Sequence, residues 1–423
     1  MGLQKSYERN HNFLIMVDWL YIEPYTLQFK TDKECLFYNT LDGTKLVIPI
    51  NKKNENLLNL LAEQKCIAIS EISADAQVLS ELIIQLQNTF NGDVIQTENN
   101  KCRPAVFSPI INNQRAFEKL DTYDWMNINS EVINYLEEVF IYINGVEKNS
   151  QRYNIELYKQ IPSYIESNLE INSRLLAEFF KHVVNKQINR INILGGNIML
   201  HTSLSDIIRI VREKAHIINF HFRFDEWKAE YKKILESKFD ELTIICPVCL
   251  LMENPFNLEG LFNQKFAKRT KYIFILQNAQ EYKKYEEIVS NNPYVIKYRC
   301  LPLFNGRNIK FFEETIYSDE SDIEDIKLTK REVYSNQKIN NTDFGRITIL
   351  PNGAIYANVN HRPIGDLRDK IHDVLYNELK FGKSWLRIRD MEPCSYCVYQ
   401  FLCPSPSNYE IAIGKPNLCH IHP

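Results

Sequence analysis

Six short apolar runs, separated by stretches with apolar residues three and four apart, organise residues 139–303. The runs are VFIYING (139–145), INRINILGG (188–196), IINFHFRF (217–224), ELTIICPVC (241–249), KYIFILQN (271–278) and YVIKYRCLPL (294–303). Runs this short and this rich in β-branched and aromatic residues read as buried strands. Helical spacing follows in NSRLLAEFFKHVVN, SLSDIIRIVREKA, EWKAEYKKILESKF and EYKKYEEIVSNN, while the segment after the fourth strand is irregular. Strands alternating with helices predict βα units and a parallel sheet. In barrels of that kind the chemistry sits at the C-terminal strand ends, so that rim is the first place to look for function.

The first hundred residues follow a different rhythm. WLYI, YTLQFK, CLFYN and KLVIPI read as strands, the last two joined across Asp42-Gly43, a strong hairpin signal. NENLLNLLAE predicts a short helix and CIAISEI a strand. DAQVLSELIIQLQNTF predicts an amphipathic helix that begins near Asp75 and ends at Asn91-Gly92. Residues 313–332 are polar and mostly acidic and read as a linker or an exposed excursion. After them ITILPNGAIYANV predicts two strands across a Pro-Asn-Gly turn, and LRDKIHDVLYNELKFG a helix. The expected division is 1–125, 126–335 and 336–423.

Composition narrows the classes. Of 423 residues 44% are hydrophobic and 24% charged, ordinary for a soluble chain too long for one core. A formal net charge of −3 offers no field for nucleic acid. With only 13 Gly, a glycine-rich phosphate cradle is not expected. The apolar start is broken by Asp18 and Glu23, unlike a signal peptide, and no apolar run is long enough for a membrane span. A cytoplasmic protein is expected.

Ten cysteines sort themselves by spacing. Cys35, Cys66, Cys102 and Cys300 stand alone and read as small core residues. Cys246-Pro-Val-Cys249 ends the fourth strand; structural cysteines are the expectation, a redox pair the alternative. Cys394, Cys397, Cys403 and Cys419 crowd the C-terminal tail. CxxC brings two thiolates to one metal centre, and four thiolates complete a closed site for zinc or an iron–sulfur cluster. Spacing alone leaves both open; His420 and His422 adjoin Cys419 and read as bystanders.

The triple Cys394-x2-Cys397-x5-Cys403, with the preceding hairpin, resembles the SPASM domain of radical-SAM peptide maturases. The resemblance implies that Cys394, Cys397, Cys403 and Cys419 hold one auxiliary [4Fe–4S] cluster, and it favours iron–sulfur over zinc. A second cluster would need cysteines where this chain has Asn358 and Ser407. The βα units resemble the partial (β/α)6 barrel of radical-SAM enzymes. That family carries CxxxCxxC after its first strand; the spacing occurs nowhere here, and the segment is VEKNSQRYNIELYKQ. Gly195-Gly196-Asn197 stands where the family has an acid after Gly-Gly that meets the methionine amino group. The N-terminal residues resemble a winged-helix-like peptide-recognition module, which takes a leader peptide as an added strand.

The fold class implied is α/β: a partial (β/α)6 radical-SAM-like barrel, a small N-terminal α+β module and a C-terminal SPASM-like cysteine-rich domain. The whole most resembles pseudo-radical-SAM proteins of ribosomal peptide maturation with Gly-Gly leaders. That resemblance implies a non-catalytic protein, with no catalytic residue and no cleavage of S-adenosylmethionine. It would bind a leader peptide, an active partner maturase, or both. Lys45, Leu46, Val47 and Ile48 are the expected peptide edge, because Pro49 marks an edge strand. Two other readings stand beside it: an enzyme using the single cluster for electron transfer or Lewis-acid chemistry on a peptide, and a zinc-stapled interaction protein.

Overall fold

The computed structural model describes residues 16–98, 103–106, 132–146, 157–184, 187–228, 230–231, 239–253 and 268–421. The chain divides into two compact units. The first comprises Met1–Ile111, Glu320–Tyr334 and Glu392–Cys403; the second comprises Asn112–Asp319, Ser335–Met391 and Pro404–Pro423.

In the first unit β1 (Val17–Ile22), β2 (Thr26–Lys30), β3 (Glu34–Asn39) and β4 (Lys45–Pro49) appear where the sequence predicts strands. β2, β3 and β4 form one antiparallel sheet, and β1 lies between β5 (Cys66–Ala68) and β6 (Gly92–Thr97) in another. Gly43 takes the left-handed φ of +87° that its turn requires. Asp75 caps the helix Ala76–Asn88 through a bond from the Gln77 amide. That helix and Glu55–Gln64 bury Leu57, Leu58, Leu61, Leu82 and Leu86 against Leu20, Ile22 and Phe37. Gly92 does not end the helix; it opens β6, where an added Cβ would lie 2.6 Å from the Tyr21 carbonyl oxygen.

The acidic segment crosses from the second unit into the first at residue 320 and is structured there. Residues 320–334 belong to the first unit and form helical turns at Glu320–Asp325 and Lys330–Asn336. Ile326, Leu328 and Val333 pack with Leu36 and Tyr38 of β3. These apolar positions are sparse among charges, which hid their shared face.

The second unit holds a nine-stranded, mostly parallel sheet of order β12-β11-β10-β9-β8-β7-β13-β14-β15. Its parallel series is β7 (Glu138–Tyr142), β8 (Ile188–Leu194), β9 (Ala215–Arg223), β10 (Glu241–Pro247), β11 (Thr270–Leu276) and β12 (Lys297–Pro302). Each strand pairs in parallel with the next in chain order. The six apolar runs are these strands. Helices Ser173–Phe179, Leu204–Arg212 and Ala279–Asn291 fall in the predicted connections, the first capped by Asn172. Most of the expected helix 226–239 lies outside the described residues. The Pro-Asn-Gly hairpin is β13 (Arg346–Ile349) with β14 (Ala354–Tyr356), and β15 (Gly365–Asp366) follows. β13 also pairs in parallel with β7, so the hairpin extends the main sheet.

Candidate functional site

Strand alternation gives the sheet two faces of opposite chemistry. One face carries Val139, Ile141, Ile191, Ile193, Phe220, Phe222, Leu242, Ile244, Tyr272 and Phe274, all buried in the main core. Residues of the other face change along each strand. β7 reads Glu138, Phe140, Tyr142; β8 reads Arg190, Asn192, Leu194; β10 reads Glu241, Thr243, Ile245; β11 reads Lys271, Ile273, Ile275. In these four strands charged residues stand at the N-terminal ends and apolar ones at the C-terminal ends; β9, which reads Asn219, His221, Arg223, ends in a charge instead. This second face is the candidate site.

Its C-terminal end is filled. Leu157, Ile161 and Tyr164, from the segment after β7, pack with Val146 against Ile245, Ile273, Ile275 and Leu303. Ile165 joins Tyr142, Leu194 and Leu350 beside them. The plug is fastened on several sides. The Gln160 side chain exchanges two 2.9 Å hydrogen bonds with the backbone of Phe304 just beyond β12. Asn360 donates to the Lys159 carbonyl at 2.8 Å. The Arg223 guanidinium lies 5.1 Å over the Tyr164 ring, whose phenol burial pushes up to about 12. The segment that the family resemblance marks for a cluster-binding loop thus supplies apolar side chains to the sheet; its residues 147–156 lie outside the described residues.

The Gly195-Gly196-Asn197 turn after β8 is closed on itself. Gly195 has φ +151°, and its Cβ would lie 2.5 Å from the Asn144 carbonyl oxygen. A Cβ on Gly196 would lie 2.3 Å from the Gly145 oxygen. Asn197 spends its side chain locally: Oδ1 accepts from the Met199 amide at 3.1 Å, and Nδ2 donates to the Tyr231 hydroxyl at 3.2 Å.

The tail cysteines are divided by the fold. Cys394, Cys397 and Cys403 belong to the first unit and Cys419 to the second. The Cys397 amide bonds the Cys394 carbonyl, and the Cys403 amide bonds the Tyr399 carbonyl, in tight turns. Val398 and Leu402, four residues apart, are buried with Leu36 and Tyr38, while the Phe401 ring lies 5.6 Å from Phe29. Cys419 bridges to Ser318, and its sulfur accepts the Ile421 amide at 3.3 Å. Among the described residues no three His, Cys, Asp or Glu side chains are gathered as a metal site. His420 bonds the Glu313 carbonyl; His422 lies outside the described residues.

Asn358 and Ser407, standing where the resemblance calls for further thiolates, enter a buried polar network. Asn358 Nδ2 donates to Asp343 at 3.0 Å and to the Asn408 side chain at 2.7 Å. Arg387 reaches Asp343 at 3.5 Å and the Pro406 carbonyl at 2.9 Å. Burial raises the Asp343 carboxyl above its ordinary value, against the pull of Asn358 and Arg387. Ser407 and Glu410 form a capping box on helix Asn408–Ile413.

The expected peptide edge is partly committed. β4 pairs with β3 alone among the described residues. Lys45 Nζ donates to the carbonyls of Gly43, Glu324 and Ile326 at 2.8–3.0 Å. Val47 packs with the 326–333 segment, and Leu46 and Ile48 face the helices. Cys246 is fully buried on the core face of β10, where burial pushes its thiol well up, as a structural cysteine requires. Cys35 and Cys66 are buried; Cys102 lies outside the described residues.

Sequence reasoning looked to the C-terminal rim and missed the polar ladder at the opposite strand ends. The signal was present: charged or polar residues such as Glu138, Arg190, Asn192, Glu241, Thr243 and Lys271 at the N-terminal positions of one face of otherwise apolar strands.

No protein-family model and no curated protein matches the sequence. Among solved structures, the chain is similar to Streptococcus suis SuiB bound to S-adenosylmethionine, at 12% identity over 95% of this chain and 98% of that one, TM-score 0.41. SuiB bound to precursor peptide SuiA gives 12% identity over the same shares, TM-score 0.44. At these values the likeness carries no argument, and the function of this chain has to be read from its own residues. No described helix is long and apolar enough to cross a membrane.

Proposed function

We propose that this chain is a non-catalytic, radical-SAM-like protein that assists maturation of a ribosomally made peptide. It binds the precursor's leader and leaves the chemistry to a partner maturase. The observation that carries this reading is the plug. Leu157, Ile161 and Tyr164 occupy the C-terminal end of the sheet's inner face, where a catalytic (β/α)6 barrel would need space for cofactor and substrate. The closed Gly195–Asn197 turn and the missing CxxxCxxC support it. The leader would add to the main-chain edge of β4, beside Lys45, Leu46, Val47 and Ile48. Cys394, Cys397, Cys403 and Cys419 are the ligand set of this reading for one [4Fe–4S] cluster, with zinc as the alternative.

Two measurements on the full chain test it. Anaerobic protein with dithionite and S-adenosylmethionine should release no 5′-deoxyadenosine above a protein-free control; release overturns the non-catalytic part. Calorimetric titration with short Gly-Gly-leader precursor peptides from the source genome should show saturable binding of at least one; its absence removes the recognition role.

A further inference from the structure

Next to the plug, whose Pro162 contributes to the lining, the same face opens towards the N-terminal strand ends into a cavity of about 620 Å³. That size suits a small molecule. Its described lining holds six cations, Arg190, Arg269, Lys271, Lys297, Arg299 and Arg346, against three carboxylates, Glu137, Glu138 and Glu241. This local excess of cations stands in a chain whose formal net charge is −3. Two of the carboxylates are already paired: Glu138 with Arg346 at 2.8 Å and Arg190 at 3.8 Å, and Glu241 with Arg190. Lys271 and Arg299 have no ion-pair partner among the described residues. Lys271 is half-buried, and its ammonium is held below the ordinary value by burial and then by Arg299 and Arg190.

The inner wall is polar and neutral. Asn219 Nδ2 lies 2.9 Å from Asn192 Oδ1, 3.0 Å from Thr243 Oγ1 and 3.0 Å from His221 Nε2. His221 is 6% exposed, and its Nδ1 finds no hydrogen-bond partner among the described residues. A buried polar atom without a partner costs stability unless something bound satisfies it.

We propose that this cavity binds a small polyanion, a compound bearing two or more carboxylate or phosphate groups, held by Lys271, Arg299 and Arg190 with His221 on its inner wall. Cations crowded in a cleft focus potential on an entering anion, and guanidinium groups match carboxylate and phosphate geometry. Protection of a sheet edge by charge would account for Lys297 and Arg299, since β12 is an edge strand. It does not account for Lys271, because β11 is paired on both sides.

The polyanion site is independent of the peptide reading, and the full chain tests it without peptide. Calorimetry with sodium pyrophosphate and, separately, sodium citrate distinguishes a phosphate site from a carboxylate site. Saturable binding of at least one probe is expected, weaker at high ionic strength. Lys271→Gln and Arg299→Gln should each weaken it about tenfold, the factor that loss of roughly 1.4 kcal/mol represents. Arg209→Gln, a change at an exposed position of helix Leu204–Arg212, should leave it unaltered. No saturable binding of either probe by folded protein overturns the proposal. So does binding that the two cavity variants leave unchanged, or that Arg209→Gln weakens equally.

Discussion

Asn144 and Asn197 tie the ends of two adjacent parallel strands together. The Asn144 amide donates to the Asn197 carbonyl at 2.8 Å, and its Oδ1 accepts the Gly196 amide at 3.1 Å. One side chain thus satisfies both polar groups of a turn too tight for any Cβ. Asn144→Ala leaves both without their partner. A loss of about 1–3 kcal/mol is expected, read as a lower denaturation midpoint. A change within error would mean that the turn holds itself.

The plug should be a stability element. Leu157 and Ile161 are at most 2% exposed. Leu157→Ala or Ile161→Ala should each cost about 2–5 kcal/mol by leaving a cavity. If the segment were a detachable cover, equilibrium unfolding would scarcely change, and the inner face would be open to cofactor and substrate after all.

Metal content decides between the thiolate readings. Anaerobically purified protein should carry about four iron atoms per chain, with a thiolate-to-iron absorption band, lost in Cys394→Ser. One tightly held zinc would select the zinc alternative with the same cysteines. Neither metal, after reconstitution, would remove the ligand set.

His221 should make the fold acid-sensitive. Burial, then Lys271 and Arg190, push its pKa down from 6.5 to about 3. Between those values the unfolded chain takes up a proton that the folded chain refuses. Its contribution to stability is present above pH 6.5 and lost as pH falls towards 3, by at most about 1.4 kcal/mol per pH unit. Asp343 and Glu378, whose carboxyls burial raises, act in the opposite direction, gaining stability as pH falls. They are common to wild type and His221→Gln, so the difference between the two isolates the imidazole. The variant should show a shallower loss below pH 6.5. Parallel pH profiles would show that His221 is not held neutral.

Periodicity made the strands readable. Runs such as KYIFILQN and INRINILGG announce β11 and β8 because an apolar residue at each alternate position has only one use, burial against helices. Caps were equally local: Asp75 and Asn172 bond amides two or three residues away. β6 was missed because its burial alternates weakly, with Ile95 41% exposed.

The sequence by itself determined the order of strands and helices, the apolar core face, the hairpin at Gly353 and the absence of a CxxxCxxC. Each depends on residues close in the chain, where backbone geometry leaves few choices. Tertiary structure alone decided that Val398 and Leu402 carry three tail cysteines into the first unit. It alone decided that Leu157 and Ile161 fill one end of the inner face, while Lys271 and Arg299 share a cavity at the other. Those outcomes depend on which distant apolar surfaces meet and which charges converge. Burial and Coulomb energy act through space, and spacing along the chain does not record them.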